Sequence, residues 1–223
     1  VVVANLKPRK MEGGRAIPAI TFSGKKIDME IGLTPIEYGG SNAVLVSFID
    51  VTDINLVEKL KQSNIQLERL ANYDDLTQLP NRQLFNKLAN KLLQAAIREH
   101  QYVAVAFIDI NKFKQLNDSL GHLMGDEVIK LVAKVIRQYH RESDVCCRYG
   151  GDEFIVYFHN IQSAKSGEIL LHQLYDVIHQ LKLPASSTQI TASIGMAVSL
   201  ATKETSLNYL IDCADQAMYQ AKN

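Results

Sequence analysis

The 223 residues are enough for one large or two small domains, and 47% hydrophobic with 22% charged residues is the composition of a globular chain able to bury a core. Lys+Arg and Asp+Glu balance at 24 each, so no overall basic field exists to attract DNA or RNA, and partners must be recognised by local sites. No apolar run approaches the ~20 residues of a membrane span and no basic-then-apolar leader opens the sequence, so no membrane contact is expected of this segment.

Residues 1–53 read as β structure. Ile27-Asp28-Met29-Glu30-Ile31 alternates apolar and polar as a half-buried strand does, and Ala43 to Ile49 forms a second strand after the turn residues Tyr38-Gly39-Gly40-Ser41-Asn42. Two or three such strands alone are marginal in water. Leu33-Thr34-Pro35-Ile36, the Gly-rich turn and a strand ending Asp50-Val51-Thr52-Asp53 resemble the C-terminal part of a PAS sensor domain. The half of such a domain that builds most of a ligand pocket is missing, so no sensor ligand is assigned.

Residues 54–73 turn helical. Leu56, Leu60, Ser63, Leu67 and Leu70 step by 4, 3, 4 and 3, a short heptad seam with Lys59, Lys61, Glu68 and Arg69 off it. Both a parallel dimer linker and an amphipathic helix lying on its own domain fit this pattern; its place between two dissimilar segments favours the linker.

Residues 74–223 alternate element types. A loop with cap-type residues and Pro80 precedes a helix at roughly 82–98, and Tyr102 to Ile108 is a near-continuous apolar run, the mark of a buried central strand. Val128, Leu131, Val132, Val135, Ile136 and Tyr139 form a helix stripe, and Val145–Arg148 and Phe154–Phe158 flank a Gly-Gly turn as a hairpin. A helix over 163–182, a strand over 189–199 and a helix over 205–222 complete the chain. The order β-α-β-β-α-β suggests an α/β (α+β) fold with a ferredoxin-like sheet backed by helices.

The carboxylates attract attention as a group. Asp109 follows the buried strand, where it could also cap a following helix, and Asp152 and Glu153 sit at a Gly-Gly-Asp turn that is common in hairpins. In a β-α-β-β unit, however, the first strand and the hairpin lie side by side, so the three can converge at one sheet end. Three carboxylates in one place repel unless cations lie between them. Mg²⁺ takes one or two carboxylates, a backbone carbonyl and substrate phosphates, and two such ions clamp an in-line displacement. Gly150 and Gly151 leave room for a phosphate to approach the backbone. Lys114 can take phosphate charge; Asn117 and Asp126 can pair with a guanine edge, or merely cap helices.

Residues from about Asp74 to Lys222 resemble the GGDEF domain of diguanylate cyclases. The matching pieces are Asp74-x-Leu76-Thr77-x-Leu79-Pro80-Asn81-Arg82, Asp109-x-x-x-Phe113-Lys114-x-x-Asn117-Asp118, Gly121-His122-x-x-Gly125-Asp126, Arg148-Tyr149-Gly150-Gly151-Asp152-Glu153-Phe154, Ser193-Ile194-Gly195 and Ala214-Asp215-x-Ala217-Met218-Tyr219-x-Ala221-Lys222. The resemblance implies a nucleotidyl-cyclase palm, and three segments: a PAS-like fragment (1–53), a helical linker (54–73) and the cyclase domain (74–223). It implies that two GTP become cyclic di-GMP and pyrophosphate, each 3′-hydroxyl attacking the other's α-phosphate across a homodimer, with two Mg²⁺ or Mn²⁺ ions per GTP site. By position, Asp109 and Glu153 hold metal with the Ile110 carbonyl, and Asp152 holds metal or assists deprotonation. Asn117 and Asp126 read guanine, while Lys114 and Lys222 contact phosphates. Arg141-Glu142-Ser143-Asp144 stands in the register of the family's product-inhibition site, which implies feedback by cyclic di-GMP; alone it would be an Arg–Asp pair at a helix end.

Two departures stand out. Asn111 replaces an Asp common in relatives, and relatives continue beyond the position of Asn223 with a Gly-Arg-Asn segment that supplies a further phosphate-binding Arg. The rival reading is a receptor that binds cyclic di-GMP or GTP without catalysis; such members usually lose the Gly-Gly-Asp/Glu-Glu-Phe string, which is intact here. Cys146, Cys147 and Cys213 lack metal-ligand spacing and read as apolar fillers in a reducing compartment. The expected location is the cytoplasm, or the cytoplasmic part of a larger membrane-attached protein, since Val1 rather than Met opens the sequence.

Overall fold

The computed structural model describes residues 16–183 and 189–222. Residues 1–15 of the segment expected to be β, and residues 184–188, lie outside the described residues. The chain divides into two compact units between Glu68 and Arg69.

The first unit is a three-stranded antiparallel sheet, β1 (Ile17–Ile20), β2 (Lys26–Tyr38) and β3 (Ser41–Asp50), in the order β1-β2-β3. Tyr38 pairs with Ser41, so Gly39 and Gly40 form a two-residue hairpin turn, and their φ values of 58° and 77° are the left-handed pair that such a turn requires. Pro35 sits in β2 although proline cannot donate to a ladder. It pairs with Val44 on one side only, because β1 reaches no further along β2 than Met29. Helix α1 (Thr52–Asn72) follows, its start tied to β2 by Asp28 N–H donating to Thr52 Oγ1 at 2.8 Å. None of its residues is buried, and Leu56, Leu60, Leu67 and Leu70 are exposed.

The second unit holds α2 (Arg82–Glu99), β4 (Tyr102–Ile110), α3 (Phe113–Leu120), α4 (His122–Tyr139), β5 (Val145–Gly150), β6 (Glu153–Ile161), α5 (Ala164–His179), β7 (Ala192–Leu200) and α6 (Leu207–Lys222). Its four strands order as β5-β6-β4-β7 with every neighbouring pair antiparallel, which is the ferredoxin-like arrangement. The apolar run is the central strand β4, covered on both faces. Ala104, Ala106, Ile108 and Ile110 pack in one core with residues of α4 and α5; Val103, Val105 and Phe107 pack in the other with residues of α2 and α6. Asn81 starts α2: its Oδ1 accepts from Leu84 N–H at 3.0 Å while its Nδ2 donates to Ala71 O at 2.8 Å, both bonds lying within the second unit, which begins at Arg69.

Candidate active site

The period-two alternation of a strand decides which way the acidic residues point. In β4 the odd-numbered residues face α2 and α6, so Asp109 does too. It pairs in register with Glu153 of β6 and with Ser193 of β7, and directly opposed residues share a face. The strand runs one residue past Asp109, which is therefore a ladder residue and not a helix cap. Asp109 is buried, at 7% exposure, and Ile110 N–H donates to Asp152 O at 3.3 Å, closing the same sheet end. Strand parity and register thus set Asp109 and Glu153 on one face, and the hairpin turn brings Asp152 to the same sheet end.

Their ionisation shows the crowding. Asp152 is raised above the ordinary aspartate range by burial and by the charge of Asp109. Glu153 is raised by burial, then by Asp109, Asp152 and Asp215 of α6. Asp215 belongs to the last matched sequence piece but had no role in the sequence reading, because nothing local says that α6 crosses this sheet end.

The turn itself is held from behind. Gly150 pairs with Glu153, so Gly151 and Asp152 are the turn residues, and Gly151 takes φ 48°. Arg148 donates from Nε and Nη2 to Gly151 O at 2.9 and 2.8 Å, and its Nη1 lies 3.1 Å from Asp74 Oδ2. Asp74 also accepts from the Thr77 amide and hydroxyl at 2.9 and 2.7 Å. Burial works to raise Asp74, but Thr77 and the Arg148 guanidinium together hold it below the usual range. Arg148 and Asp74 are 74 residues apart, so spacing could not reveal their pairing.

Helix α6 brings the cation. Lys222 Nζ lies 2.7 Å from Asp109 Oδ1, across 113 residues of sequence. The approach is possible because α6 rides directly on β7 at Gly195: a Cβ there would meet Met218 N at 2.0 Å and Ala214 O at 2.2 Å. The Ser193-Ile194-Gly195 piece is thus a helix seat. Ser193 Oγ donates to Asn111 Oδ1 at 2.7 Å, so Asn111, the departure from the family pattern, joins the ends of β4 and β7.

Asn117 and Asp126 lie on the adjoining helices α3 and α4. Asn117 Oδ1 is buried with no hydrogen-bond partner. It occupies the space that a side chain at residue 125 would fill, 1.9 Å from the position of a Cβ on Gly125. Neither residue caps its helix: both sit inside, and Asp126 is half-buried. Lys114 is exposed in the first turn of α3.

Arg141 and Asp144 stand apart at the start of β5. Asp144, 7% exposed, accepts the Arg141 and His159 amides at 3.0 Å each, whereas Arg141 is exposed. A depression of about 450 Å³ reaches Asp144 among Leu88, Leu92, Arg137 and His140. Another of about 480 Å³ is lined by Asp74, Asn81, Arg82, Arg148, Tyr149 and the two turn glycines, with the Arg82 guanidinium 4.3 Å over the Tyr149 ring. Neither of these two depressions is lined by Asp109, Asn117 or Asp126.

The family described as diguanylate cyclase, GGDEF domain, matches residues 71–223. The bifunctional diguanylate cyclase/cyclic di-GMP phosphodiesterase MucR of Pseudomonas aeruginosa is 34% identical over 181 residues, covering 81% of this chain and 26% of MucR. The diguanylate cyclase TpbB of the same species is 37% identical over 169 residues, 74% of this chain and 38% of TpbB. The chain therefore spans well under half the length of these relatives. Among solved structures, the coiled coil and GGDEF domain of DgcB from Caulobacter crescentus, in complex with c-di-GMP, superposes with a TM-score of 0.68 at 30% identity over 76% of this chain and 90% of that one. With two thirds of its length matched by the family and the Gly-Gly-Asp-Glu-Phe turn set against Asp109 in one sheet, the chain belongs to the GGDEF, or diguanylate cyclase, family.

Proposed function

We propose that this chain condenses two GTP molecules into cyclic di-GMP with release of pyrophosphate, one GTP being held by each of two facing copies. The observation that carries the reading is the Asp109–Glu153 register pair closed by the Ile110–Asp152 hydrogen bond, with an intact catalytic turn. Asp109, Glu153, Asp152 and the Ile110 carbonyl would hold Mg²⁺ or Mn²⁺, two ions per GTP. The hard oxygen donors fit, and the raised Asp152 and Glu153 are carboxylates that a cation would relieve. Among the described residues no group of three acidic, histidine or cysteine side chains is placed to hold a metal ion by itself. The bound ion would supply charge neutralisation and polarisation at the triphosphate.

The chain's own residues do the rest. Gly150 and Gly151 let the phosphates approach the backbone, and Lys114 and Lys222 take phosphate charge. Asn117 and Asp126 would accept from guanine N–H donors; Asn117 Oδ1 has no hydrogen-bond partner to give up, though its side chain must turn outward to reach a base. Asp152 either shares in holding the ion or accepts the proton of the attacking 3′-hydroxyl. A new bond forms to the α-phosphorus, its bond to the bridging oxygen breaks, and pyrophosphate leaves. In the base role, burial raises Asp152's proton affinity only while no ion is ligated to it.

The second copy is supported by α1, whose Leu56, Leu60, Leu67 and Leu70 face solvent and make it a poor helix unless partnered. Residues before α1 would serve as the end of a PAS-like sensor that changes how the copies meet. Arg141 would contact cyclic di-GMP for feedback, with Asp144 fixing its turn. Incubation with GTP and Mg²⁺ followed by nucleotide separation tests the reading. Cyclic di-GMP should appear and Asp152→Ala should abolish it; no product from a dimeric sample refutes catalysis and leaves a receptor.

A further inference from the structure

The Asp109–Lys222 ion pair joins two residues with different proposed partners, and its geometry sets them against each other. Asp109 is fixed: it lies in the central strand, and its side chain is 10% exposed. Lys222 is the movable member, on the last turn of α6, with a side chain 42% exposed. The helix beneath it is fixed by Gly195 and by buried Ala214 and Met218, so the ammonium can swing without the backbone moving. Ser193, the register neighbour of Asp109, already gives its hydroxyl proton to Asn111. Within the sheet the other neighbour is Glu153, an acceptor of like charge. Lys222 is thus the cation that balances Asp109.

We propose that Lys222 and the divalent cation compete for Asp109, and that nucleotide ends the competition by drawing the ammonium onto a phosphate. The inference rests on the reading of Asp109 as a metal carboxylate. A cation arriving alone must displace Lys222, whereas one arriving with nucleotide finds Asp109 released. Metal and nucleotide are then coupled by linkage, each binding more tightly in the other's presence. Lys222 serves as a positioning residue that keeps the site from filling with metal before substrate comes.

The sign of the effect separates this from a merely structural lysine. Binding of Mn²⁺ to the full chain without nucleotide is measured by electron paramagnetic resonance of the free ion. Binding of a GTP analogue with a methylene between the α- and β-phosphates is then measured with Mn²⁺ present, by calorimetry. Lys222→Met should bind Mn²⁺ alone about 1.5-fold to fivefold more tightly, the range for loss of a partly exposed ion pair, and bind the analogue more weakly. Lys222→Arg should behave like wild type, and Asp109→Asn should lose the Mn²⁺ site in either background. Lys222→Gln, an uncharged but polar side chain, repeats the test should Met alter folding. Mn²⁺ affinity unchanged or weakened in both neutral variants, with binding still dependent on Asp109, overturns the competition alone. Mn²⁺ binding indifferent to Asp109→Asn overturns the metal reading and the competition with it.

Discussion

Replacing Gly195 by alanine tests whether the seat of α6 on β7 is what assembles the sheet end. The added Cβ would stand 2.0 Å from Met218 N, 2.2 Å from Ala214 O and 2.7 Å from Ala217 C, all backbone atoms of one helix that cannot yield singly. Reaching ordinary contact at about 3.4 Å requires α6 to move by roughly 1.4 Å as a body, an overpacking of the kind that costs about 1–3 kcal/mol. The same motion loosens Leu207, Leu210, Ile211 and Met218, which α6 buries, so the upper end of that range is expected. For a domain of this size about 3 kcal/mol lowers the melting midpoint by roughly 6–12 °C. Gly150→Ala is the control: its φ is not positive, and its nearest new neighbour would be Glu153 Oε2 at 3.9 Å, so its melting midpoint should stay near wild type. Thermal unfolding followed by circular dichroism reads both. Gly195→Ala melting within about 1 °C of Gly150→Ala would refute the argument that backbone contact at this crossing fixes α6.

Arg148→Ala removes the ion pair to Asp74 and both donors to Gly151 O, and should cost about 1–2 kcal/mol in urea unfolding at neutral pH. Asp74 is held below 3.8, so its contribution is present above that value and lost as pH falls through its folded pKa; the gap between wild type and Arg148→Ala should narrow in acid. Glu153→Gln relieves a carboxyl raised by burial, Asp109, Asp152 and Asp215, so at pH 7 it should raise the melting midpoint while abolishing cyclic di-GMP formation; a lowered midpoint would refute the repulsion. Burial pushes the Cys146 thiol up to about 12 and Cys147 higher still, so an aromatic disulfide reagent should titrate only Cys213 in the native protein and all three on unfolding.

What the sequence disclosed was whatever period and order can express. The apolar run from Tyr102 announced a strand covered on both faces, and the β-α-β-β order set Asp109 beside the hairpin; strand parity then fixes which face it shares with Glu153. Ends were less legible. The apolar pattern of α5 runs on through Leu181 and Leu183, yet the helix stops at His179 and Lys182 forms a bridge with Gln189 instead. Least legible were the tertiary pairings: Lys222 with Asp109, Arg148 with Asp74, and, across the α3–α4 corner, Asn117 against Gly125. The first depends on a helix crossing a strand end, the second on a loop folding back against a strand, and the third on a close approach that only glycine permits, and none leaves a periodic trace.

These pairings also explain how the fold tolerates its acidic cluster. Asp109 is the buried member, with Lys222 beside it and both flanking strands fixing its register. Asp152 and Glu153 are half-buried at a turn whose carbonyl is gripped by Arg148 and thence by Asp74. The rigid carboxylate is therefore balanced by a mobile cation, and the turn carboxylates are held by a fixed one that does not touch them. If the two cations were exchanged, Asp109 would be locked against a tethered, half-buried guanidinium and closed to metal, and the turn would lose its anchor whenever substrate drew the lysine away. Under the proposed chemistry, placing the movable charge on the fixed ligand and the fixed charge behind the turn lets the site open to a cation without unfastening the hairpin.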